Sequence, residues 1–312
     1  MAEGRRSVFD LALVLALTSV VLWALNIPIV KLAVEGWSPM AFSFVRFGAG
    51  ALIYIAFVLV REGSLRVQRR DVPLFLIGGT VGIALNQYSF MYAVELTTAS
   101  TVTLLFATTP LWAALVARLL GWEFVKPWFW GAIGISTLGV LMVLIGSGAT
   151  LSFSSLLGNI LALGAAITWG VYSVLIRPLL QRYSATLVSA IMMLIGTPLI
   201  AIVGVPQLLT EDISGLSGGA WFGLGYALVA SLIVANLLWF VAIHKAGAAR
   251  VVALMPLQPF LGVIFSWVLL AERLDWKQLA GGIIIIIGTT IAVRSVHPID
   301  AAHDHRSIGI QK

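Results

Sequence analysis

Cysteine is absent from the 312 residues, which excludes disulfides, thiolate nucleophiles and cysteine-ligated metals. Charge is scarce as well. Asp, Glu, Lys and Arg make up 10% of the chain, against about 25% in ordinary soluble domains. No acidic residue lies inside a long apolar run. All 13, from Glu3 through Glu35, Glu95, Glu123, Glu211, Asp212 and Glu272 to Asp304, fall in loops, tails or run ends. Proton-driven carriers usually keep a carboxylate or His within the membrane, so the pattern argues against obligatory proton coupling. Nor is there a P-loop pattern or a nucleophile constellation. The three His of "HPIDAAHDHR" lack a metal-binding spacing and read as a disordered tail. Neither an enzyme, a cofactor nor a metal is expected.

What is present is apolar: 60% of residues are hydrophobic, with a mean hydropathy of +1.03. So much apolar surface belongs in a bilayer. A span needs about 20 mainly apolar residues, and ten runs qualify: 11–34, 40–60, 72–94, 98–119, 128–146, 155–180, 184–205, 218–243, 248–270 and 276–294. They are too long and too unalternating for barrel strands, so they read as helices. The first runs on through Asn26 and Pro28 without a cleavage site, so it reads as a retained helix, not a signal peptide.

A net charge of +6 would suggest nucleic acid in a soluble protein. Here it follows the loops. With the N-terminus in the cytoplasm, fifteen Lys and Arg, among them Arg5, Arg61, Arg69, Arg70, Arg182 and Arg294, lie inside. Only Arg273 and Lys277 lie outside, with Lys31 at an outer helix end and Arg46 within span two. The positive-inside bias therefore places both termini in the cytoplasm. Trp37, Trp122, Trp128, Trp130, Trp221 and Trp276 fall at span ends, where amphipathic rings favour the interface. The expectation is a multi-pass protein of a bacterial-type inner membrane, partnered by lipid and not by nucleic acid.

An offset of 146 residues lays Trp23 on Trp169, Lys31 on Arg177 and Ser38 on Ser184. An offset of 149 lays Ala93 on Ala242, Ala99 on Ala248, Pro110 on Pro259, Glu123 on Glu272 and Gly139 on Gly288. A register shared across five helices points to duplication, and an odd number of spans per copy turns the second copy upside down. The expected fold is all-α: ten transmembrane helices in two inverted five-helix repeats. Residues 1–10 form a cytoplasmic head, 11–146 and 155–294 the repeats, and 295–312 a cytoplasmic tail. Inverted repeats recur in secondary transporters, whose substrate sites lie near the midplane between the repeats.

The paired blocks "TPLWAALVARLLGWE" (109–123) and "QPFLGVIFSWVLLAE" (258–272), within this ten-span plan, resemble the EamA-type drug/metabolite transporter superfamily over about 10–295. In its overall pattern the chain is most similar to bacterial exporters of aromatic and other neutral amino acids. The resemblance implies a cavity lined by spans 1–4 and 6–9, with spans 5 and 10 as scaffold. Independently, "GGIIIIIG" (281–288) in span 10 offers no polar side chain, and its glycines permit close helix packing. The first-span Glu of small multidrug members has no counterpart here.

Candidate substrate residues follow from polar or aromatic groups inside spans. Trp23 and Asn26 share one helical face, and Pro28 leaves the Ala24 carbonyl without its usual donor. Trp169 and Tyr172 repeat that spacing in the second half. Span 3 supplies Tyr88 and Tyr92 from "NQYSFMY", where Asn86 and Gln87 point apart; span 8 supplies Asn236 and Trp239. Span 4 aligns Thr108 and Trp112, and Pro110 frees the Phe106 carbonyl. Span 9 carries Gln258 between Pro256 and Pro259, which free the Val252 and Met255 carbonyls. Paired helix-kink prolines in corresponding spans point to bent helices at a binding site. Arg46, the one strongly basic residue well inside a span, could hold a substrate carboxylate or snorkel outward. Each residue also has a structural alternative: a packing Trp, an interhelical hydrogen bond or a fixed kink. Lys31 and Arg177 read as interfacial anchors.

Together these features predict a secondary transporter working by alternating access. It would passively export small amphipathic metabolites, foremost aromatic and other neutral amino acids. The alternative is a carrier for a nucleobase, sugar conjugate or lipophilic drug, proton-coupled or not. A membrane-embedded enzyme or structural subunit fits less well, since reactive constellations are missing and matched polar residues are present. One chain suffices for such a carrier, and oligomers are compatible with it.

Overall fold

A computed structural model describes residues 2–121, 123–146, 153–246, 254, 257–294 and 296–298. Among them the chain is helical apart from one two-stranded ribbon. In chain order the helices are α1 (Ala2–Ala33), α2 (Pro39–Glu62), α3 (Arg69–Leu96), α4 (Ala99–Leu119), α5 (Trp128–Gly146), α6 (Phe153–Leu180) and α7 (Ala185–Thr210). Next comes α8, built from Gly218–Gly225, Tyr226–Val234 and Ala235–Ala246, then α9 (Leu257–Leu270) and α10 (Trp276–Arg294). Strands β1 (Glu123–Val125) and β2 (Val296–Pro298) pair antiparallel, with Glu123 opposite Pro298.

Eight helices, α1 through α8, are long and apolar enough to cross a membrane, while α9 and the apolar part of α10 are shorter. The start of the ninth expected span, 248–256, lies outside the described residues apart from Leu254. Large apolar side chains such as Leu52, Val60, Leu138, Ile160, Ile202 and Val268 stand exposed on the outside. In water such a surface would drive association; around a bundle it is what lipid requires. The molecule is a multi-span, all-α membrane bundle.

Local chemistry sets the helix ends. The hydroxyls of Thr98, Ser184 and Ser217 accept the amide hydrogens of Thr101, Leu187 and Ala220, capping α4, α7 and α8. Pro39 follows Ser38 at the start of α2, and Gly63 closes that helix at φ 75°.

Helix partners recur with the offset seen in the sequence. The first helix packs on α8 and α9, and α6 packs on α3 and α4. Helix α2 meets the middle of α8, and α7 meets the middle of α3. The pairs α2–α7, α4–α9 and α5–α10 pack directly. Exchanging each helix for the one five places along leaves this pattern unchanged. Between α5 and α10 the backbones nearly touch: a Cβ on Gly139 would lie 2.7 Å from the Gly281 carbonyl oxygen. Nothing larger than glycine fits there.

Two segments depart from α geometry. Gly78–Leu85 in α3 and Tyr226–Val234 in α8 run as π-helix, and the offset of 149 lays one on the other. Such wide turns disturb the regular hydrogen-bond ladder and often occur at functional sites.

Both ends of the bundle carry polar links. At the end holding the α1–α2 loop, Gln207 Oε1 accepts the Met40 and Ala41 amides, and Glu211 accepts that of Ser38. There too, the Glu272 carboxylate accepts the Ala99 and Ser100 amides at 2.8 Å and the Ser100 hydroxyl at 2.5 Å. Lys31 Nζ donates to the carbonyls of Val94, Glu95 and Thr97. It completes the C-terminus of α3, a more specific role than interfacial anchoring. At the opposite end the buried Asp71 pairs with Arg182 and accepts the Tyr183 hydroxyl at 2.7 Å.

Candidate functional site

The π-helical stretch of α8 organises the best-defined polar cluster. Its carbonyls, and one just beyond, are taken up by side chains from α1, α2 and α8. Arg46 Nε donates to the Ala227 carbonyl at 3.1 Å, and the Trp23 indole N–H donates to that of Ser231 at 3.1 Å. The Tyr54 hydroxyl and Asn236 Nδ2 both reach the Leu232 carbonyl, at 3.0 and 2.7 Å. The Ser19 hydroxyl donates to Ala235 at 2.9 Å. In lipid, an unmet carbonyl is costly, so these donors allow the wide turn to persist. Trp239 packs against Trp23 with ring centroids 5.2 Å apart and planes tilted by 58°. The cluster thus unites Trp23, Arg46, Asn236 and Trp239, drawn from three helices, with Asn26 on the same face of α1 as Trp23. The sequence singled out all five, by spacing or as the one basic residue well inside a span, and could not show that one backbone segment gathers three of them.

Two groups in this cluster are left over. Asn26 is 8% exposed, and its Oδ1 is buried without a hydrogen-bond partner among the described residues. Arg46 is 5% exposed, so it does not snorkel outward as one sequence reading allowed. Its guanidinium lies 5.3 Å from the Phe47 ring centroid. The Ala227 carbonyl is its one hydrogen-bond acceptor among the described residues. A charged side chain inside a membrane span is costly, and among the described residues no carboxylate pairs with it.

The equivalent stretch of α3 is met by apolar groups. A Cβ added at Gly78 would touch Met192, at Gly79 Ile195, and at Gly82 the Tyr172 side chain. Beyond it, Asn86 Nδ2 donates to the Ala165 carbonyl at 2.9 Å and to the Thr168 hydroxyl at 3.1 Å. Gln87 donates to Asn86 Oδ1 at 3.5 Å and accepts the Ser43 hydroxyl. As expected, the two amides turn to different helices, Asn86 to α6 and Gln87 to α2, while the 3.5 Å contact between them links the two sets of bonds. Trp169 is 36% exposed and stacks on Tyr172 at 5.1 Å, so the two span-centre tryptophans have separate ring partners.

The remaining candidates scatter. The Tyr88 hydroxyl donates to Leu199 of α7 at 3.0 Å. Tyr92 accepts from Gln207 at 3.4 Å and lines a cavity of about 370 Å³ at the α1–α2 loop end, with Trp37, Glu35, Glu95 and Glu211. Trp37, expected at the interface, is buried edge-on against Trp221. Thr108 and Trp112 line a second, apolar cavity of about 150 Å³ between α4, α5 and α6. There the indole donates to the Thr108 hydroxyl at 3.1 Å. Gln258 is half-buried in the first turn of α9. Span position alone could not separate these settings.

The prolines behave differently from one another. Pro28 sits within a continuous α1. Pro110 opens the second segment of α4, Thr109–Leu119, after a break that follows Phe106. The Phe106 carbonyl, expected to be free, accepts the Thr109 hydroxyl at 2.7 Å. Pro259 lies in the first turn of α9, where no intrahelical hydrogen bond is lost. Pro256, with Val252 and Met255, lies outside the described residues.

Two stretches of the sequence, residues 10–145 and 156–294, match the model of the EamA-like transporter family. The chain belongs to the EamA-like transporter family. This transporter is 27% identical over 299 residues to an uncharacterized transporter of Archaeoglobus fulgidus, covering 91% of this chain and 98% of the other. It is also 27% identical over 282 residues to a protein of Streptantibioticus cattleyicolor named "probable terminal-alkyne amino-acid exporter", covering 88% and 91%. A solved crystal structure, 21% identical, superposes with a TM-score of 0.59 over 91% of this chain and 97% of that one. That likeness concerns the fold. The family is one of membrane transporters and not of enzymes, and among the described residues no cluster of metal-ligating side chains occurs. The transporter handles a small-molecule substrate across a bilayer by alternating access.

Proposed function

We propose that the transporter passively exports small amphipathic metabolites, foremost aromatic and other neutral amino acids. The observation that carries this reading is the contrast between the two π-helical turns. Around α8 stand indoles, amides and a guanidinium, while around α3 stand Met192, Ile195 and Tyr172. A solute with a polar end and an apolar end matches such a pair of poles. Trp23, Trp239 and Asn26 would contact the polar end, with Trp169 and Tyr172 toward the apolar one. Tyr88, Tyr92, Thr108, Trp112, Asn236 and Gln258 would line the path or support it. The amino-acid exporter among the relatives supports the same substrate class.

In this reading ten helices form two oppositely threaded repeats, 11–146 and 155–294, with both termini in the cytoplasm of a bacterial-type cell. The exchange of helix partners between halves supports it, as does the matching of the two π-helical turns at one offset. Rocking of one repeat on the other would expose the poles to each side in turn. One chain contains all the parts, and no spanning carboxylate is available for proton coupling.

Counterflow in proteoliposomes tests the reading, with labelled phenylalanine, leucine, uracil and a sugar, each with and without a pH gradient. Trans-stimulated amino-acid flux that ignores the gradient is expected. Flux confined to uracil or the sugar would replace the substrate class, and strict dependence on the gradient would overturn passive transport.

A further inference from the structure

Resting on the carrier reading above, we propose that Arg46 is the receptor for a substrate carboxylate and Asn26 Oδ1 the acceptor for its ammonium. The offset of 146 lays Arg46 on Met192, and the offset of 149 lays Gly78 on Ala227. The contacts follow the same exchange: Met192 fills the space at Gly78, and Arg46 bonds to Ala227. One half therefore packs this niche with an uncharged thioether. Packing alone does not call for a cation here, so the charge at Arg46 needs a different reason.

The geometry of the guanidinium supplies one. Its Nε is committed to the Ala227 carbonyl, and neither terminal nitrogen has a hydrogen-bond partner among the described residues. What remains is the end of the planar fork, which accepts a carboxylate through two parallel hydrogen bonds. Among the described residues no anion pairs with this buried cation, and an ionisable group inside a membrane span points to a functional partner. A phosphorylated solute would call for further deep cations, and Arg46 is alone within the spans' interior.

Asn26 adds the complementary group. The offset of 146 lays it on Tyr172, and that of 149 lays Gly82, which Tyr172 covers, on Ser231. Ser231 is four residues from Ala227 and receives the indole of Trp23, which is three residues from Asn26. Both groups thus border the same stretch of α8, Arg46 through the Ala227 carbonyl and Asn26 from the turn of α1 next to Trp23, whose indole meets Ser231. An α-amino acid carries its carboxylate and its ammonium on one carbon, which suits this arrangement.

Calorimetric binding to the purified transporter, alongside counterflow, separates the possibilities. The probes are phenylalanine, phenylalanine amide, which lacks the carboxylate, and 3-phenylpropionate, which lacks the ammonium. Wild type should bind phenylalanine at least tenfold more tightly than the amide. Arg46→Met, which copies Met192, should weaken phenylalanine and 3-phenylpropionate at least tenfold and leave the amide within twofold. Arg46→Lys should fall between. Asn26→Leu should weaken phenylalanine and the amide and spare 3-phenylpropionate. Unchanged phenylalanine affinity in Arg46→Met would overturn the proposal, as would equal loss of all three probes at normal folded yield. Arginine-dependent binding without flux would uphold this site and instead defeat the carrier reading.

Discussion

At the scale of single residues, the acidic groups at the helix ends hold the bundle together. Glu272 accepts two backbone amides and a hydroxyl at the start of α4, and Ala99 and Ser100 are buried. Hydrogen bonds to a charged group contribute about 1.5–3 kcal/mol each, and an orphaned buried donor costs further. Glu272→Ala should destabilise the protein by about 2–4 kcal/mol, measured as a lowered midpoint of thermal unfolding in detergent. An unchanged midpoint would mean that water replaces the carboxylate. The repeated Pro…Glu blocks marked this residue in the sequence, but not its task, because its partners are 172 and 173 residues away. Spacing and setting drew attention to Trp23 and Asn26, but not to the Ser231 carbonyl that Trp23 reaches 208 residues away. The burial of Arg46 was not legible, since a long basic side chain near a span end can equally reach water.

At the scale of elements, the π-helical turns decide how the halves meet. A Cβ at Gly82 would approach Tyr172 carbons to 2.0–2.7 Å. Gly82→Val should therefore cost about 1–3 kcal/mol through overpacking. Adding Tyr172→Ala should relieve part of that cost, giving a coupling of about 1 kcal/mol or more in a double-mutant cycle. Additive effects would show that α3 and α6 do not meet there. Apolar runs of spanning length made the helices themselves legible. The wide turns were not, because one extra residue per turn leaves hydropathy unchanged and only a tertiary partner stabilises it. Proline was a poor guide for a related reason. Its effect depends on where the helix begins, and Pro259 falls in a first turn.

At the scale of the whole molecule, sidedness and alternation remain the claims with most consequence. The native chain has no cysteine, so single cysteines report without background. Ser64, in the α2–α3 loop, and Ser214, in the α7–α8 loop, are both exposed. With both termini cytoplasmic, Ser214→Cys should react with a membrane-impermeant maleimide on intact cells. Ser64→Cys should react only after permeabilisation. The reverse pattern would invert the topology, and labelling of both on intact cells would break the odd-span repeat.

The most direct test of a central site served from both sides is the reactivity of Asn26→Cys. It is read in right-side-out and inside-out vesicles with a small charged thiol reagent, with and without phenylalanine at a concentration raised to offset the variant's weaker binding. Modification is expected from either side, slowed by phenylalanine in both orientations. Modification from one side alone, or from neither, would contradict it.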